Sequence, residues 1–208
     1  MKVVFDLGAV VFRWRPAVLL SQVLPHRAAD AVQAEALVRS FFQDFDGGDW
    51  GAFDRGTISV PQLVPRMAER LGLPVSEVQQ VVDAVPAELQ LLPDTLALMQ
   101  RLRTAGHGLH YLSNMPAPYA EHLEGRFPFE QWFDGGVFSS RVQLIKPEPA
   151  IYALAQRQFE AAPDELLFID DSPRNVEAAR AAGWQALHFT DAQRLQADLL
   201  AAGLLAPA

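Results

Sequence analysis

The chain has 208 residues, half of them hydrophobic, a formal net charge of −8 and no cysteine. That length and composition can bury the core of one α/β domain with an insertion, or of two small domains, while disulfides and thiolate metal sites are excluded. The acidic balance argues against nucleic acid or an anionic membrane as partner, because phosphate backbones attract clustered Lys and Arg; a small molecule is the expected ligand. Asp6 interrupts the N-terminus before any signal-like run develops, and no uninterrupted apolar stretch approaches the roughly 18 residues of a membrane helix. The expectation is a cytoplasmic protein, monomeric or homodimeric.

In chain order, Val3-Val4-Phe5 reads as a buried strand that ends at Asp6. Between Pro16 and about Glu88 the pattern is helical, with helices predicted over 28–42, 61–71 and 76–85. Asp46-Gly47-Gly48-Asp49, Gly56 and Pro74 separate them. From Leu89 onward, strands and helices alternate. The spacing predicts a helix over 94–105 closed by Gly106, a strand over 108–112 ending at Ser113, and a helix over 147–159. A strand follows over 166–169, then a helix over 173–182 stopped by Gly183, a strand over 185–189 and a last helix over 191–202. This β-α-β rhythm predicts a parallel sheet, with residues 1–15 and 89–208 forming an α/β core and 16–88 an all-helical insertion.

Chemistry-bearing residues gather where strands end, the place where open α/β sheets bind ligands. Four stretches stand out: Asp6-Leu7-Gly8, Ser113-Asn114, Lys146-Pro147 and Asp170-Asp171-Ser172. As a set they suit a phosphoryl group. A carboxylate attacking a phosphate is repelled by about 4 kcal/mol per unit charge pair at 4 Å and an effective dielectric near 20, so cations must offset it. Asp170 and Asp171 offer hard oxygen ligands for Mg²⁺, Lys146 a compact positive charge, and Ser113 with Asn114 hydrogen-bond donors. Singly, each has a bland reading. Asp6 could be a turn residue, Ser113 and Asn114 loop formers, and Asp171 or Ser172 a helix cap. Lys146 carries extra weight because the chain has only one other lysine, Lys2, against fifteen arginines.

In this order, and over essentially the whole chain, the four stretches resemble the motifs of the haloacid dehalogenase superfamily of phosphohydrolases. The first motif, with Asp54-Arg55-Gly56-Thr57-Ile58-Ser59 in the insertion, is similar to the bacterial branch that includes an α-D-glucose-1-phosphate phosphatase. The cap segment of epoxide-hydrolase phosphatase domains is also similar. The resemblance implies a Rossmann-like core with residues 16–88 as a helical cap domain. It implies Asp6 as a nucleophile forming an aspartyl-phosphate, and Mg²⁺ held by Asp6, the Gly8 carbonyl and Asp171. Ser113 and Asn114 would hold phosphoryl oxygens, Lys146 would bridge Asp6 and the phosphate, and Asp170 and Asn175 would support the metal. A small phosphorylated metabolite, foremost a sugar phosphate, is the expected substrate.

Gly8 departs from the pattern, since most phosphatases of the superfamily carry a second Asp there to protonate the leaving alcohol and activate water. The gap keeps a metal-independent 2-haloacid dehalogenase as an alternative, which the Asp170-Asp171 pair argues against. A phospho-accepting signalling module and a catalytically idle relative are further alternatives. In or beside the cap, Trp14, Trp50 and Phe53 could stack on a sugar or pack cap against core. Arg13 is expected either to contact a polar part of the substrate or to form a surface salt bridge, and Arg15, Arg141 and Arg174 are taken as surface residues.

Overall fold

The apolar run behind Asp6 becomes the middle of a five-stranded sheet. The computed structural model describes residues 1–43 and 47–206. Its strands are β1 (Lys2–Phe5), β2 (Gly108–Ser113), β3 (Gly135–Phe138), β4 (Leu166–Asp170) and β5 (Gln185–His188), in the order β3-β2-β1-β4-β5. Every pairing is parallel. The side-chain period of two puts Val3, Phe5, Leu109, Tyr111, Leu167 and Ile169 into one hydrophobic cluster, and Val4, Leu112, Leu166 and Phe168 into another. Burial on both faces explains why β1 reads as a continuous apolar run rather than an alternating one.

Helices cover the sheet and fill the segment after β1. Between Pro16 and Glu88 lie α1 (Pro16–Val23), α2 (Ala31–Phe42), α3 (Gly48–Asp54), α4 (Val60–Leu71) and α5 (Val75–Glu88). The α/β part then carries α6 (Pro93–Thr104), α7 (Ala117–Arg126), α8 (Phe129–Trp132), α9 (Ser139–Val142), α10 (Pro149–Gln158), α11 (Pro173–Ala181) and α12 (Ala192–Ala201). The expected α/β class with a central parallel sheet is what the chain adopts.

Several elements differ from the sequence expectation, each for a local reason. Edge strand β3 has two glycines in four residues, which hides it from a propensity reading; a Cβ at Gly136 would lie 2.2 Å from the Tyr111 ring, so an aromatic packed on the edge requires the glycine. Helices α1 and α3 are 8 and 7 residues long, too short for an apolar period to emerge. Helix α2 starts at Ala31 rather than at 28, because the Asp30 side chain accepts from the Gln33 amide and caps it. The helix expected over 147–159 starts at Pro149, since a proline suits the first helical position, where its missing N–H leaves no bond unmade. Asp46 of the expected separator lies outside the described residues.

Candidate active site

Asp6 follows β1, and its amide still pairs with the Ile169 carbonyl at 2.8 Å. The chain then turns at once. The Leu7 amide donates to the Asp6 carboxylate at 2.7 Å, the amides of Val11 and Phe12 donate to the Leu7 carbonyl at 2.9 and 2.8 Å, and Ala9 sits at φ 60°. A left-handed alanine costs about 1–2 kcal/mol, so the turn is held by its surroundings. Nothing lies within 4 Å of a Cβ built at Gly8, so space does not dictate the glycine there.

Lys146 binds this strand end to the next one. Its side chain is 1% exposed, with Nζ 2.9 Å from Asp6 Oδ1 and 2.6 Å from Asp170 Oδ2. At an effective dielectric of 20 each contact is worth about 6 kcal/mol before desolvation is subtracted. Burial alone would lower the lysine pKa, but the charges of Asp170 and Asp6 outweigh it and raise it above its ordinary value. The ammonium is permanently charged.

The remaining carboxylates exceed what one lysine can balance. Both oxygens of Asp170 are engaged, by Lys146 Nζ, the Ser172 amide at 2.8 Å and Asn175 Nδ2 at 3.0 and 3.1 Å. Asp171, the next residue, is exposed. Asp6, Asp170 and Asp171 each present an oxygen within 4.8 Å of the others. Burial raises the Asp6 pKa to about 7 and the fields of Asp170 and Asp171 add to the rise, against the opposing field of Lys146. Asp171 is raised to about 6, by desolvation first and Asp170 second. Three carboxylates against one cation fit a divalent ion held by hard oxygen donors, so the residues present suit Mg²⁺.

The second stretch does two jobs. Ser113, 1% exposed at the end of β2, lines the same cavity as Asp6. Asn114 clamps the Lys146 backbone, Oδ1 accepting from its amide at 2.8 Å and Nδ2 donating to its carbonyl at 3.0 Å. One Asn114 N–H is left for a ligand. Asn114→Ala should therefore destabilise the protein by about 1–3 kcal/mol, the cost of orphaned buried groups, and lower turnover by letting Lys146 drift. Thermal melts together with kcat would register both changes; an unchanged melt would leave the clamp without structural weight.

These side chains surround a cavity of about 220 Å³. Its polar end carries Asp6, Ser113, Asn114, Lys146, Asp171, Arg174 and Asn175. The lining also includes the apolar or aromatic residues Trp14, Trp50, Val85, Leu89, Met115, Pro116 and Tyr119, and one further acid, Asp54. Trp14 and Trp50 thus face the cavity, whereas Phe53 packs edge-on against Trp50 and Tyr119. Arg13 is not among the lining residues. With Arg15 it pairs with buried Glu88, at 3.0 and 2.9 Å, which is the salt-bridge alternative rather than substrate contact.

Sequence reasoning named Asp54 within a resemblance but gave it no role, and took Arg174 as a surface residue, whereas both line the cavity. Asp54 ends a seven-residue helix, where an acid looks like a surface residue, and no local pattern marks it as buried. Yet it is only 4% exposed, and burial raises its pKa well above the carboxylate range, with Lys146 opposing and Asp6 adding.

The family profile described as haloacid dehalogenase-like hydrolase matches residues 19–183. A sesquiterpene phosphatase from Aspergillus oryzae is 27% identical over 189 residues, covering 90% of this chain and 89% of that protein. A HAD family enzyme from Bacteroides thetaiotaomicron, solved with magnesium and inorganic phosphate, has the same fold at TM-score 0.70 and 21% identity, covering 91% of this chain and 93% of the other. An L-2-haloacid dehalogenase is similar too, at TM-score 0.68 and 24% identity over 90% of this chain and 85% of that one. Likeness at this level establishes the fold and leaves the choice of reaction to the site. The chain is an enzyme of the haloacid dehalogenase-like hydrolase family.

Proposed function

We propose that the protein is a Mg²⁺-dependent phosphomonoester hydrolase in which Asp6 attacks phosphorus and becomes an aspartyl-phosphate. The observation that carries this reading is the cluster of Asp6, Asp170 and Asp171 oxygens within 4.8 Å, two of whose members share the Lys146 ammonium. A metal-independent dehalogenase gains nothing from such a cluster, because it would repel an anionic haloacid and hold Asp6 back from ionising. The Asp6 carboxylate, the Gly8 carbonyl and Asp171 would hold the metal, with Asp170 and Asn175 behind them. When bound, Mg²⁺ would offset the negative charge shared by the carboxylates and the phosphoryl oxygens.

The chain's own groups do the rest. Lys146 keeps the Asp6 carboxylate oriented and lends positive charge to the developing bond. Ser113 and the remaining Asn114 N–H donate to phosphoryl oxygens. The helices between Pro16 and Glu88 act as a cap domain (residues 16–88), and the core comprises residues 1–15 and 89–208. The organic group of the substrate would rest on the apolar wall shared by cap and core. That wall favours an apolar group over the sugar expected from sequence, because Trp14, Trp50, Val85 and Leu89 offer few partners for hydroxyls, and each 100 Å² of apolar surface buried there is worth about 2.5 kcal/mol. The similar Aspergillus oryzae protein is a sesquiterpene phosphatase, which agrees with this preference.

A panel of a terpenyl monophosphate, glucose 1-phosphate and 2-chloropropionate, each with Mg²⁺ or with chelator, tests the reading. Phosphate release should require Mg²⁺ and be at least about tenfold more efficient, in kcat/KM, for the terpenyl ester, a difference of about 1.4 kcal/mol. Halide release in chelator would replace the proposal with the dehalogenase, and a preference for the sugar ester would remove the apolar wall as its specificity determinant.

A further inference from the structure

The expulsion of an alcohol from a phosphomonoester needs a proton, and Gly8 cannot give one. We propose that Asp54 supplies it and later takes one from water, acting as the catalytic acid and base of the phosphohydrolase reading above, on which this inference rests. Asp54 lines the cavity that holds Asp6, and is 4% exposed. Its carboxyl makes no hydrogen bond or ion pair with any described residue. A buried acid with no partner is costly unless a ligand or a proton satisfies it.

Its position is fixed from behind. The Asp54 carbonyl accepts from Ser139 Oγ at 2.5 Å, and Ser139 Oγ accepts from the Met115 amide at 2.9 Å. Arg55 donates to the Glu148 carboxylate at 3.0 Å and to the Gln143 carbonyl at 3.1 Å. Gly56, at φ 76°, lies so close to α9 that a Cβ would come within 2.4 Å of the Ser140 carbonyl oxygen. The end of α3 is therefore tied to the segments that follow Asn114 and flank Lys146. In-line attack by Asp6 expels the alcohol on the face of phosphorus turned away from Asp6, and Asp54 lines the cavity that must receive it.

Other lining groups are committed elsewhere. The Tyr119 hydroxyl donates to the Val82 carbonyl at 2.9 Å, Lys146 is held by two carboxylates, and Asp171 belongs to the acidic cluster. Asp54 feels the fields of Lys146 and Asp6 from the same cavity, and burial pushes its pKa well above the ordinary carboxylate value.

The step balances without a further reactant. An Asp6 carboxylate oxygen bonds to phosphorus as the bond from phosphorus to the ester oxygen breaks, and the Asp54 proton passes to that oxygen, releasing the neutral alcohol. Asp54, now a carboxylate, takes a proton from water as the water oxygen bonds to phosphorus. The bond between phosphorus and Asp6 breaks, which returns Asp6 as a carboxylate, Asp54 as an acid, and free phosphate.

The test compares Asp54→Asn, Asp54→Glu and Asp6→Asn with the wild-type chain on two esters, p-nitrophenyl phosphate, whose phenolate leaves readily, and hexyl phosphate, whose alkoxide needs a proton. Asp54→Asn should lose about 10²-fold or more in kcat/KM on hexyl phosphate and far less on p-nitrophenyl phosphate. Acid-quenched samples should contain more phosphorylated protein than wild type, because the water step slows. Asp54→Glu should recover part of the hexyl phosphate activity, and thermal melts should place all variants as folded. Equal losses on both esters, or no loss in a folded Asp54→Asn, would overturn the role of Asp54 while leaving the phosphohydrolase reading intact. Substantial activity in Asp6→Asn, or no phosphate from either ester with wild type, would overturn that reading and this inference with it.

Discussion

Asp6→Asn is expected to lower phosphate release by at least about 10⁴-fold, since loss of a nucleophile removes the covalent route itself rather than one contribution to it. The fold should survive. Asparagine has the same shape, its carbonyl oxygen can still accept from the Leu7 amide, and the carboxylate it replaces is held against its own solvation, as the rise to about 7 indicates. Melting without added metal should therefore stay at or above wild type, while added Mg²⁺ should raise it less. Phosphate release and melts with and without Mg²⁺ on the same preparation provide both readouts. Residual activity above about 1% of wild type would remove Asp6 as the nucleophile.

Lys146→Met is expected to damage stability and rate together. The methionine fills much of the volume and can pack on the Phe168 ring that now lies 5.3 Å from Nζ, but Asp170 and Asp6 lose the cation between them. Removing one partner of a buried charge pair costs about 3–5 kcal/mol, and kcat should fall by about 10³-fold as an electrostatic contributor to the transition state disappears. The pH dependence has a definite sign. Asp6 already titrates near 7, above its unfolded value of 3.8, and without the lysine it rises further. A carboxyl that keeps its proton only in the folded state loses stability as pH rises between those two values. The gap in melting temperature between wild type and variant should therefore widen from pH 5 to pH 8. A gap that narrows would mean that the lysine does not hold these carboxylates ionised.

Local sequence encoded the sheet and the strand-end loops well, because those features follow from a period of two and from carboxylates placed after apolar runs. Val3 to Asp6 and Leu166 to Asp171 were legible for that reason, and the structure brings the side chains they carry within contact of Lys146. Distance in space was not legible. That Asn114 grips the Lys146 backbone, that Glu88 collects both Arg13 and Arg15, and that Asp54 lies beside the cavity all depend on contacts between remote segments. Short elements were lost as well. A four-residue edge strand with two glycines, or a seven-residue helix, is too brief for periodicity to distinguish from a loop.

The position of β1 has a consequence for how the molecule comes together. Its two neighbours begin only at Gly108 and Leu166, so Asp6 is synthesised well before the residues that come to surround it. Loops of that size carry a closure entropy that must be met before the pairings return anything. Until β4 docks, β1 has one open edge and Asp6 lacks Asp170 and Asp171. No N-terminal portion of the chain that stops short of β4 can hold the three carboxylates together, and the appearance of the site during folding is therefore a marker that β4 has docked on β1.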